Sequence, residues 1–307
     1  MEENELSGVL LLDKPAGYTS HDMVNRVRRL YHTRRVGHTG TLDPMATGLL
    51  VVLIGRAAKA AEYLVAGRKR YEALLRLGLT TDTEDSTGTI LSTSKSLPTK
   101  EEVEAILPRF TGKIEQIPPM YSALKVDGRK LYDLARKGQT IERRPRPVEI
   151  YELTFAPTEN PAEYRLFATV SAGTYIRTLC ADIGNALGCG GVMAELRRLE
   201  TGGFSVELAK TPEEIEAMDD AARAEILFPT EQLFDDLPQL RLVPFYEKLI
   251  RSGCAVALHK LGEGARTLPL GTRVRLQNET GNFFALGEVL VDPDDILALK
   301  AIKLFVL

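Results

Sequence analysis

The stretch RVGHTGTLDPMATGLLVVLI, residues 35–54, joins a glycine-rich segment to an unbroken apolar run. The apolar run, residues 49–54, is short and bounded by glycines, which predicts a buried β-strand. Glycines let a ligand or another backbone approach closely, and Asp43 is the only carboxylate in the stretch. Because Asp43 precedes a proline, its backbone favours an extended conformation. The stretch therefore predicts a stiff loop that delivers one acid to the edge of a buried sheet.

The composition is that of an ordinary globular protein. The chain has 307 residues, 44% hydrophobic and 26% charged, enough for one large domain and a small one. No apolar run approaches the roughly 18 residues that span a bilayer, and the acidic start does not resemble a signal peptide. We therefore expect a cytoplasmic protein with no membrane partner. Three cysteines without CxxC spacing and four histidines without ligand spacing predict neither a disulfide nor a metal site.

Charge is distributed unevenly along the chain, although the net charge is only −3. Residues 213–236 hold nine acids and one base, whereas residues 125–146 hold eight bases and three acids. Smaller basic clusters lie at 26–35 and 68–70. Clusters of lysine and arginine are typical of a polyanion-binding protein. The alternative reading of each cluster is an ordinary solvated surface.

Hydrophobic periodicity predicts an α+β fold rather than regular βαβ repeats. Predicted strands are residues 8–13, 49–54, 71–77, 148–156, 163–172, 273–277 and 283–291, with 194–200 open between strand and helix. Predicted helices are 21–31 with Ser20 as N-cap, 57–66, one from the Thr99–Glu102 capping box to about Pro108, 131–137, 175–187, the acidic stretch from Glu213, and 245–252.

Two changes in the pattern of the sequence, near residues 112 and 237, predict the domain organisation. Residues 112–148, framed by proline-rich segments, form a basic insertion or flap on the main body. From residue 237 onward, short strands separated by glycines predict a small β-barrel-like module. We thus expect one domain over 1–236, carrying the flap, and a second over 237–307.

Asp43 is the single carboxylate of its loop, which limits the reactions that the loop could catalyse. Hydrolysis of a glycosidic bond usually requires two carboxylates, but a single ionised Asp43 can act as a covalent nucleophile. Arg177, in the segment GTYIRT (173–178), is a candidate partner that would lower the pKa of Asp43; its alternative is a surface position. Tyr71 and Tyr175 lie beside basic residues and are candidates for stacking on unpaired bases, with a core position as the alternative for each. No GxSxG motif or phosphate-binding loop is present.

Six ordered segments resemble the bacterial tRNA pseudouridine-55 synthase (TruB) family. They are GVLLLDKP (8–15), GHTGTLDP (37–44), KRY (69–71), QIPPMYSALK (116–125), GTYIR (173–177) and LRR (196–198). Together they extend over nearly all of residues 8–236, and the tail resembles, more weakly, a PUA-type RNA-binding module. The resemblance implies a pseudouridine-synthase-like mixed β-sheet core flanked by helices, followed by a PUA-like β-barrel module.

The same resemblance implies a function and a set of site residues. The expected reaction converts uridine to pseudouridine at position 55 in the T-loop of tRNA, by a monomeric enzyme that needs no cofactor. The flap would close over the T-arm. By the family pattern, Asp43 is the nucleophile and Arg177 its partner. His38 fills the space that a flipped uridine leaves. Tyr71 stacks on the flipped base and is a candidate for the proton step at C5, and Tyr175 and Leu196 form the pocket walls. Lys14 matches a family motif that supports the site, and independently of the resemblance we expect it to contact phosphate.

Two alternatives remain at the level of sequence. The basic clusters and the tail module would suffice for a non-catalytic tRNA-binding or folding protein. The same chemistry would also serve another RNA. The residues do not distinguish attack of Asp43 on the sugar, attack on the base, or a glycal route.

Overall fold

The structure, a computed structural model, describes residues 6–64, 67–122, 124–126 and 128–306. Its strands are β1 Gly8–Lys14, β2 Val36–His38, β3 Thr47–Ile54, β4 Lys69–Leu77, β5 Leu79–Thr81, β6 Ile90–Thr93, β7 Gly112–Gln116, β8 Lys125–Val126, β9 Arg129–Lys130, β10 Arg146–Pro157, β11 Glu163–Val170, β12 Gly191–Thr201, β13 Phe204–Ser205, β14 Gln239–Arg241, β15 Val256–Ala257, β16 Arg273–Gln277, β17 Phe283–Val291 and β18 Leu297–Leu304. Its α-helices are α1 Ser20–Leu30, α2 Lys100–Ile106, α3 Leu131–Ala135, α4 Ile176–Ala186, α5 Pro212–Ala217, α6 Asp220–Glu225, α7 Pro244–Arg251 and α8 Glu263–Arg266. Short 3₁₀ helices span Gly55–Tyr63, Leu107–Phe110, Val206–Leu208, Thr230–Phe234 and Leu258–Lys260.

A mixed sheet of nine strands forms the centre of the described chain. Its order is β1-β3-β12-β4-β11-β10-β7, with β2 paired to β3 and β13 paired to β12. The apolar run predicted to be a buried strand is β3, and its residues 48–54 are all buried. The open choice at 194–200 is resolved as strand β12, which pairs antiparallel with β4 and parallel with β3. The prediction of an α+β fold is confirmed.

Helices cover the sheet through close backbone contacts and apolar side chains. Helix α1 places Met23, Val24 and Val27 in one core cluster with β1 and β3. Helix α4 packs against β12, where a Cβ added at Gly184 would lie 2.2 Å from the backbone nitrogen of Gly191. Helix and strand approach so closely there that only glycine fits, which fixes the position of α4 on the sheet.

Several predicted boundaries differ from the structure. The N-cap of α1 is Thr19, which forms a capping box with Asp22, because the Ser20 hydroxyl is engaged elsewhere. Residues 55–63 form a 3₁₀ helix instead of the predicted α-helix, and Val65 and Ala66 lie outside the described residues. The acidic stretch divides into α5, α6 and a 3₁₀ turn.

The predicted flap begins later than residue 112. Strand β7 is the edge strand of the main sheet and pairs with β10, so Gly112–Gln116 belongs to the body. The segment outside the main sheet is residues 117–145, called the flap below, with the β8–β9 hairpin and α3. Ala123 and Asp127 of this segment lie outside the described residues.

A second sheet of five strands, ordered β14-β16-β17-β18-β15, forms the C-terminal part. It packs on the main body through a shared core cluster in which Phe234 meets the rings of Phe283 and Phe305. Within the described residues, no helix is long and apolar enough to cross a bilayer.

Candidate active site

The loop that carries Asp43 connects β2 to β3, and three buried side chains hold its backbone. This aspartate loop comprises residues 39–46. The side chains are Lys14 from β1, Ser20 from α1 and Arg198 from β12, each at most 2% exposed. Because they come from three separate elements, the loop conformation depends on the whole body as well as on the local turn in which Ala46 N donates to Asp43 O at 3.1 Å.

Lys14 is completely buried and points its ammonium at backbone carbonyls. Its Nζ donates to the carbonyl oxygens of Pro15 at 2.8 Å, Tyr18 at 2.7 Å and Pro44 at 3.3 Å. Burial lowers the pKa of Lys14 to about 8, although the negative charge of Asp43 acts in the opposite direction. The expectation that Lys14 contacts phosphate is therefore wrong, because its three donors are used inside the protein. Its supporting position next to Asp43 remains.

Ser20 and Arg198 fix the other part of the loop. The Ser20 hydroxyl accepts from Leu42 N at 2.8 Å and donates to Leu42 O at 3.2 Å. The Arg198 guanidinium donates to the carbonyls of Leu49 at 2.7 Å, Gly40 at 3.1 Å and Thr41 at 3.4 Å. Hydrogen bonds from charged donors are stronger than neutral ones, so these contacts are suited to hold a loop without regular structure.

Gly48 allows β12 to approach the end of the loop. Its φ is +99°, and an added Cβ would lie 2.3 Å from the carbonyl oxygen of Arg198. The parallel pairing of β3 with β12 therefore requires glycine at this position.

Asp43 forms an ion pair with Arg177, as the sequence suggests. Arg177 Nε lies 3.0 Å from Asp43 Oδ2, and Arg177 Nη2 lies 3.4 Å from Oδ1. The arginine side chain is 6% exposed and the aspartate side chain 35%, so the carboxylate is open on one side. Burial raises the pKa of Asp43, whereas the Arg177 charge opposes that rise. The pair presents an anion that is partly stripped of water and held in one orientation.

Arg177 is held in turn by the flap and by the loop after β5. Its Nη2 donates to the Tyr121 carbonyl at 2.7 Å, and its Nη1 donates to the Thr83 carbonyl at 3.3 Å. The same Nη1 lies 3.9 Å from Oδ2 of the buried Asp85. Surface placement of Arg177 is thus excluded, and the guanidinium links three separate segments.

Tyr71 and Leu196 lie on neighbouring strands beside the aspartate loop. Each is 8% exposed, and both belong to one core cluster with Leu42 and Ile176. Tyr71 on β4 pairs in register with Arg198 on β12. The structure therefore brings this ring and this leucine to the same apolar region as the residue that precedes Asp43.

Tyr175 sits immediately before α4 and is clamped by Gln116. Tyr175 N donates to Gln116 Oε1 at 3.0 Å, and Gln116 Nε2 donates to Tyr175 O at 3.2 Å. Burial raises the pKa of the Tyr175 phenol. This reciprocal clamp substitutes for a side-chain N-cap and fixes the start of the helix that carries Arg177.

His38 ends β2, directly before the aspartate loop. Its Nδ1 is buried and has no hydrogen-bond partner among the described residues. Burial lowers the pKa of His38, and the nearby Arg198 charge lowers it further, so the imidazole is neutral near pH 7. Unlike Arg177, His38 has no described hydrogen bond or ion pair to Asp43.

Sequence reasoning missed four positioning residues: Ser20 in this role, Asp85, Gln116 and Arg198. The sequence does contain a signal for Arg198. Successive residues of a strand face opposite sides of the sheet, so of the adjacent arginines 197 and 198 only one can point to a given face. Its neighbour Arg197 pairs instead with Asp13 at 2.6 Å. Within the basic cluster at 26–35, Arg26 forms salt bridges with Glu213 and Glu216 of the acidic stretch.

Across residues 6–64, 67–122, 124–126 and 128–306, no group of three or more His, Cys, Asp or Glu side chains could hold an ion.

Two family models match consecutive parts of the chain. Residues 28–176 match the N-terminal domain of the TruB family pseudouridylate synthases. Residues 177–235 match the tRNA pseudouridylate synthase B C-terminal domain. The boundary between the matches falls at Arg177, so the ion pair with Asp43 joins both matched regions.

Curated relatives and solved structures agree with these matches. Proteins named tRNA pseudouridine synthase B from Cupriavidus metallidurans and Pseudomonas fluorescens are 41% and 43% identical to this chain, covering 94% of it and 92% and 93% of their own lengths. The crystal structure of a Cbf5–Nop10–Gar1 complex has a chain that is 25% identical, with a TM-score of 0.74 over 98% of this chain and 85% of its own. The expected pseudouridine-synthase-like fold is confirmed, and the five-stranded sheet is consistent with a PUA-like module. By identity over most of its length, this chain belongs to the TruB family of pseudouridylate synthases.

Proposed function

We propose that this protein converts uridine to pseudouridine at position 55 in the T-loop of tRNA, with Asp43 as the nucleophile. The observation that carries the proposal is the Asp43–Arg177 ion pair at 3.0 Å, partly open to solvent on the carboxylate side. A protein that only binds RNA has no need of a partly desolvated acid paired with a buried guanidinium. The tRNA substrate follows from the names of the relatives.

The reaction balances without a cofactor. The bond between uracil N1 and ribose C1′ breaks, and a bond between C5 and C1′ forms. The proton on C5 is lost, and N1 ends with a proton, so nothing is oxidised or reduced and no water is consumed. Asp43 acts in its ionised form, whether it attacks the sugar, attacks the base or promotes a glycal route. Arg177 favours that ionised form and holds both carboxylate oxygens.

The surroundings of Asp43 suit an extruded base. Taking a base out of a folded loop costs a few kcal/mol, which stacking in a pocket offsets. Tyr71 supplies a ring for that stacking and is the candidate for the proton step at C5, and Leu196 and Tyr175 form apolar walls. A neutral His38 is suited to fill the space that the base leaves, because a flat uncharged ring stacks readily between bases.

The flap supplies cationic surface for the T-arm. Exposed Arg129, Arg136, Lys137 and Arg144 lie on it, and Arg146 follows it at the start of β10. Because the flap also touches Arg177 through the Tyr121 carbonyl, closure on RNA and positioning of the ion pair are connected. We further propose that the protein acts as a cytoplasmic monomer, with the body and flap on residues 1–236 and the RNA-binding module on 237–307.

Tritium release tests the proposal. A minimal T-arm stem-loop labelled with tritium at C5 of its target uridine is incubated with the wild-type protein. We expect one equivalent of tritium per RNA, because C5 loses its proton when the new bond forms. Salt-sensitive binding without release would instead identify a non-catalytic tRNA-binding protein. Pseudouridine mapping of total RNA from a deletion strain would reveal loss at another RNA if the substrate is different.

A further inference from the structure

Tyr18 is an exposed aromatic residue on the turn that abuts the aspartate loop. Its side chain belongs to no described core cluster, and the residue is 48% exposed. We propose that Tyr18 is a stacking platform for an unpaired base of the RNA, adjacent to the extruded uridine. This inference rests on the proposed function and adds a contact outside the pocket that holds the target base.

The turn that carries Tyr18 is attached directly to the backbone of the aspartate loop. Gly17 N donates to Pro44 O at 2.8 Å, with Gly17 at a φ of +87°. The Tyr18 carbonyl and the Pro44 carbonyl both accept from the Lys14 ammonium, at 2.7 and 3.3 Å. Because Pro44 follows Asp43 in the chain, Tyr18 is mounted at the rim of the site.

The residues after Tyr18 are equally restrained. Thr19 forms the capping box with Asp22, with Thr19 N to Asp22 Oδ2 at 2.8 Å. Ser20 is bound to Leu42 N and O. The backbone of Tyr18 thus lies between anchored neighbours, and little backbone entropy remains to be lost when the ring meets a ligand.

An RNA base is the ligand that fits this arrangement. Extruding one nucleotide from a loop leaves its neighbours with an unstacked face, and aromatic rings are the usual protein partners of such faces. Pro44, whose carbonyl oxygen accepts from Gly17 N beside Tyr18, is itself exposed, so this turn is open to solvent. A flat ring at an open rim suits a flat base, whereas a protein side chain would need a pocket to receive it.

Variants of Tyr18 and a set of modified RNAs test the proposal. Tyr18→Ala, Tyr18→Leu and Tyr18→Phe are compared with wild type for KM, kcat and Kd on the T-arm stem-loop. Each protein is also measured on stem-loops in which one loop nucleotide other than the target is abasic. Leu91→Ala is the control for loss of an exposed apolar side chain, because Leu91 is 67% exposed and lies on β6, outside the aspartate loop, the flap and the C-terminal module.

We expect the ring to contribute to binding and not to the chemical step. Tyr18→Ala and Tyr18→Leu should weaken binding about tenfold, as removal of one base-stacking partner does, with kcat retained and with Tyr18→Phe equal to wild type. On one abasic stem-loop, wild type and Tyr18→Ala should bind equally. Three results would overturn the inference. The first is an unchanged Kd for Tyr18→Ala, and the second is an equal loss of affinity in Tyr18→Phe and Tyr18→Ala. The third is a ratio of the Tyr18→Ala Kd to the wild-type Kd that is the same on every abasic RNA. Absence of tritium release by wild type would instead refute the proposed function.

Discussion

The aspartate loop and the flap both face the candidate site, but they are held in opposite ways. The loop backbone receives hydrogen bonds from Lys14, Ser20 and Arg198, all buried, and its aspartate pairs with Arg177. The flap contacts the ion pair through the Tyr121 carbonyl, which accepts from Arg177, and it exposes arginine and lysine side chains to solvent. Buried contacts of the body thus hold the reactive group in place, whereas the flap offers an exposed cationic surface. Changes in the loop should therefore lower kcat, and changes in the flap should raise KM.

Arg177→Met should have the largest effect among changes to the groups that hold Asp43. Without the guanidinium, burial acts unopposed and raises the pKa of Asp43 further, and the carboxylate loses its orientation. We expect kcat to fall at least about a hundredfold, equivalent to about 3 kcal/mol of barrier, with little change in Kd. Single-turnover tritium release and filter binding measure the two quantities. A variant whose loss lay entirely in KM would show that Arg177 serves binding.

Arg198→Met and Arg197→Met form a matched pair on one strand. Arg198 donates to three carbonyls of the loop and β3, whereas Arg197 pairs with Asp13 at a partly exposed position. We expect the first variant to lose about tenfold or more in kcat and to unfold at a lower temperature, because it leaves buried carbonyls unsatisfied. Arg197→Met should change kcat less than about threefold, as exposed ion pairs contribute little. Equal effects of the two substitutions would contradict the loop assignment.

The pH profile of kcat should be limited on both sides by the groups around the loop. Asp43 must be ionised, and because its pKa is raised, activity should be lost at a higher pH than for an ordinary aspartate as the solution is acidified. Lys14, with a pKa of about 8, loses its charge as pH rises through that value, which weakens its hold on Pro44. We expect a several-fold decline above about pH 8. Lys14→Met should abolish the alkaline limb, and an unchanged limb would show that Lys14 does not govern it.

Charge removal in the flap should have the smallest effect. Arg136→Ala and Lys137→Ala each remove one exposed positive charge, so KM should rise about two- to threefold with kcat unchanged. The slope of log Kd against log salt should decrease by about 0.7 to 0.9 for each phosphate that the variant no longer neutralises. If either substitution lowered kcat as Arg198→Met does, the contrast between loop and flap would not hold.

Much of this arrangement is predictable from the sequence, for identifiable reasons. The run at 49–54 is apolar on every residue, so its burial as β3 follows directly. The partnership of Asp43 with Arg177 is suggested by a lone acid and an arginine at a helix start, where the macrodipole does not favour a cation. The role of Lys14 is not predictable in this way, because basic residues are expected at the surface of an RNA-binding protein and burial against three carbonyls depends on the tertiary fold.

Strand β7 and the 3₁₀ helix Gly55–Tyr63 are two further elements that the sequence does not predict correctly. Gly112–Gln116 alternates weakly and is followed by prolines, so its pairing with β10 appears only once the sheet is assembled. Alanine-rich residues 57–63 favour an α-helix by propensity, but in the structure they form the tighter 3₁₀ helix and pack on β3.

Replacement of the Asp43 carboxylate tests the central claim most directly. Asp43→Asn keeps the shape of the side chain and removes its charge, and Asp220→Asn, on exposed helix α6, is the control for loss of one negative charge. We predict that Asp43→Asn releases tritium from the T-arm stem-loop at least about a thousandfold more slowly than wild type, a barrier increase of about 4 kcal/mol, while binding the RNA with the same Kd. Asp220→Asn should match wild type in both. Release by Asp43→Asn within about tenfold of wild type would contradict the assignment of Asp43 as the nucleophile.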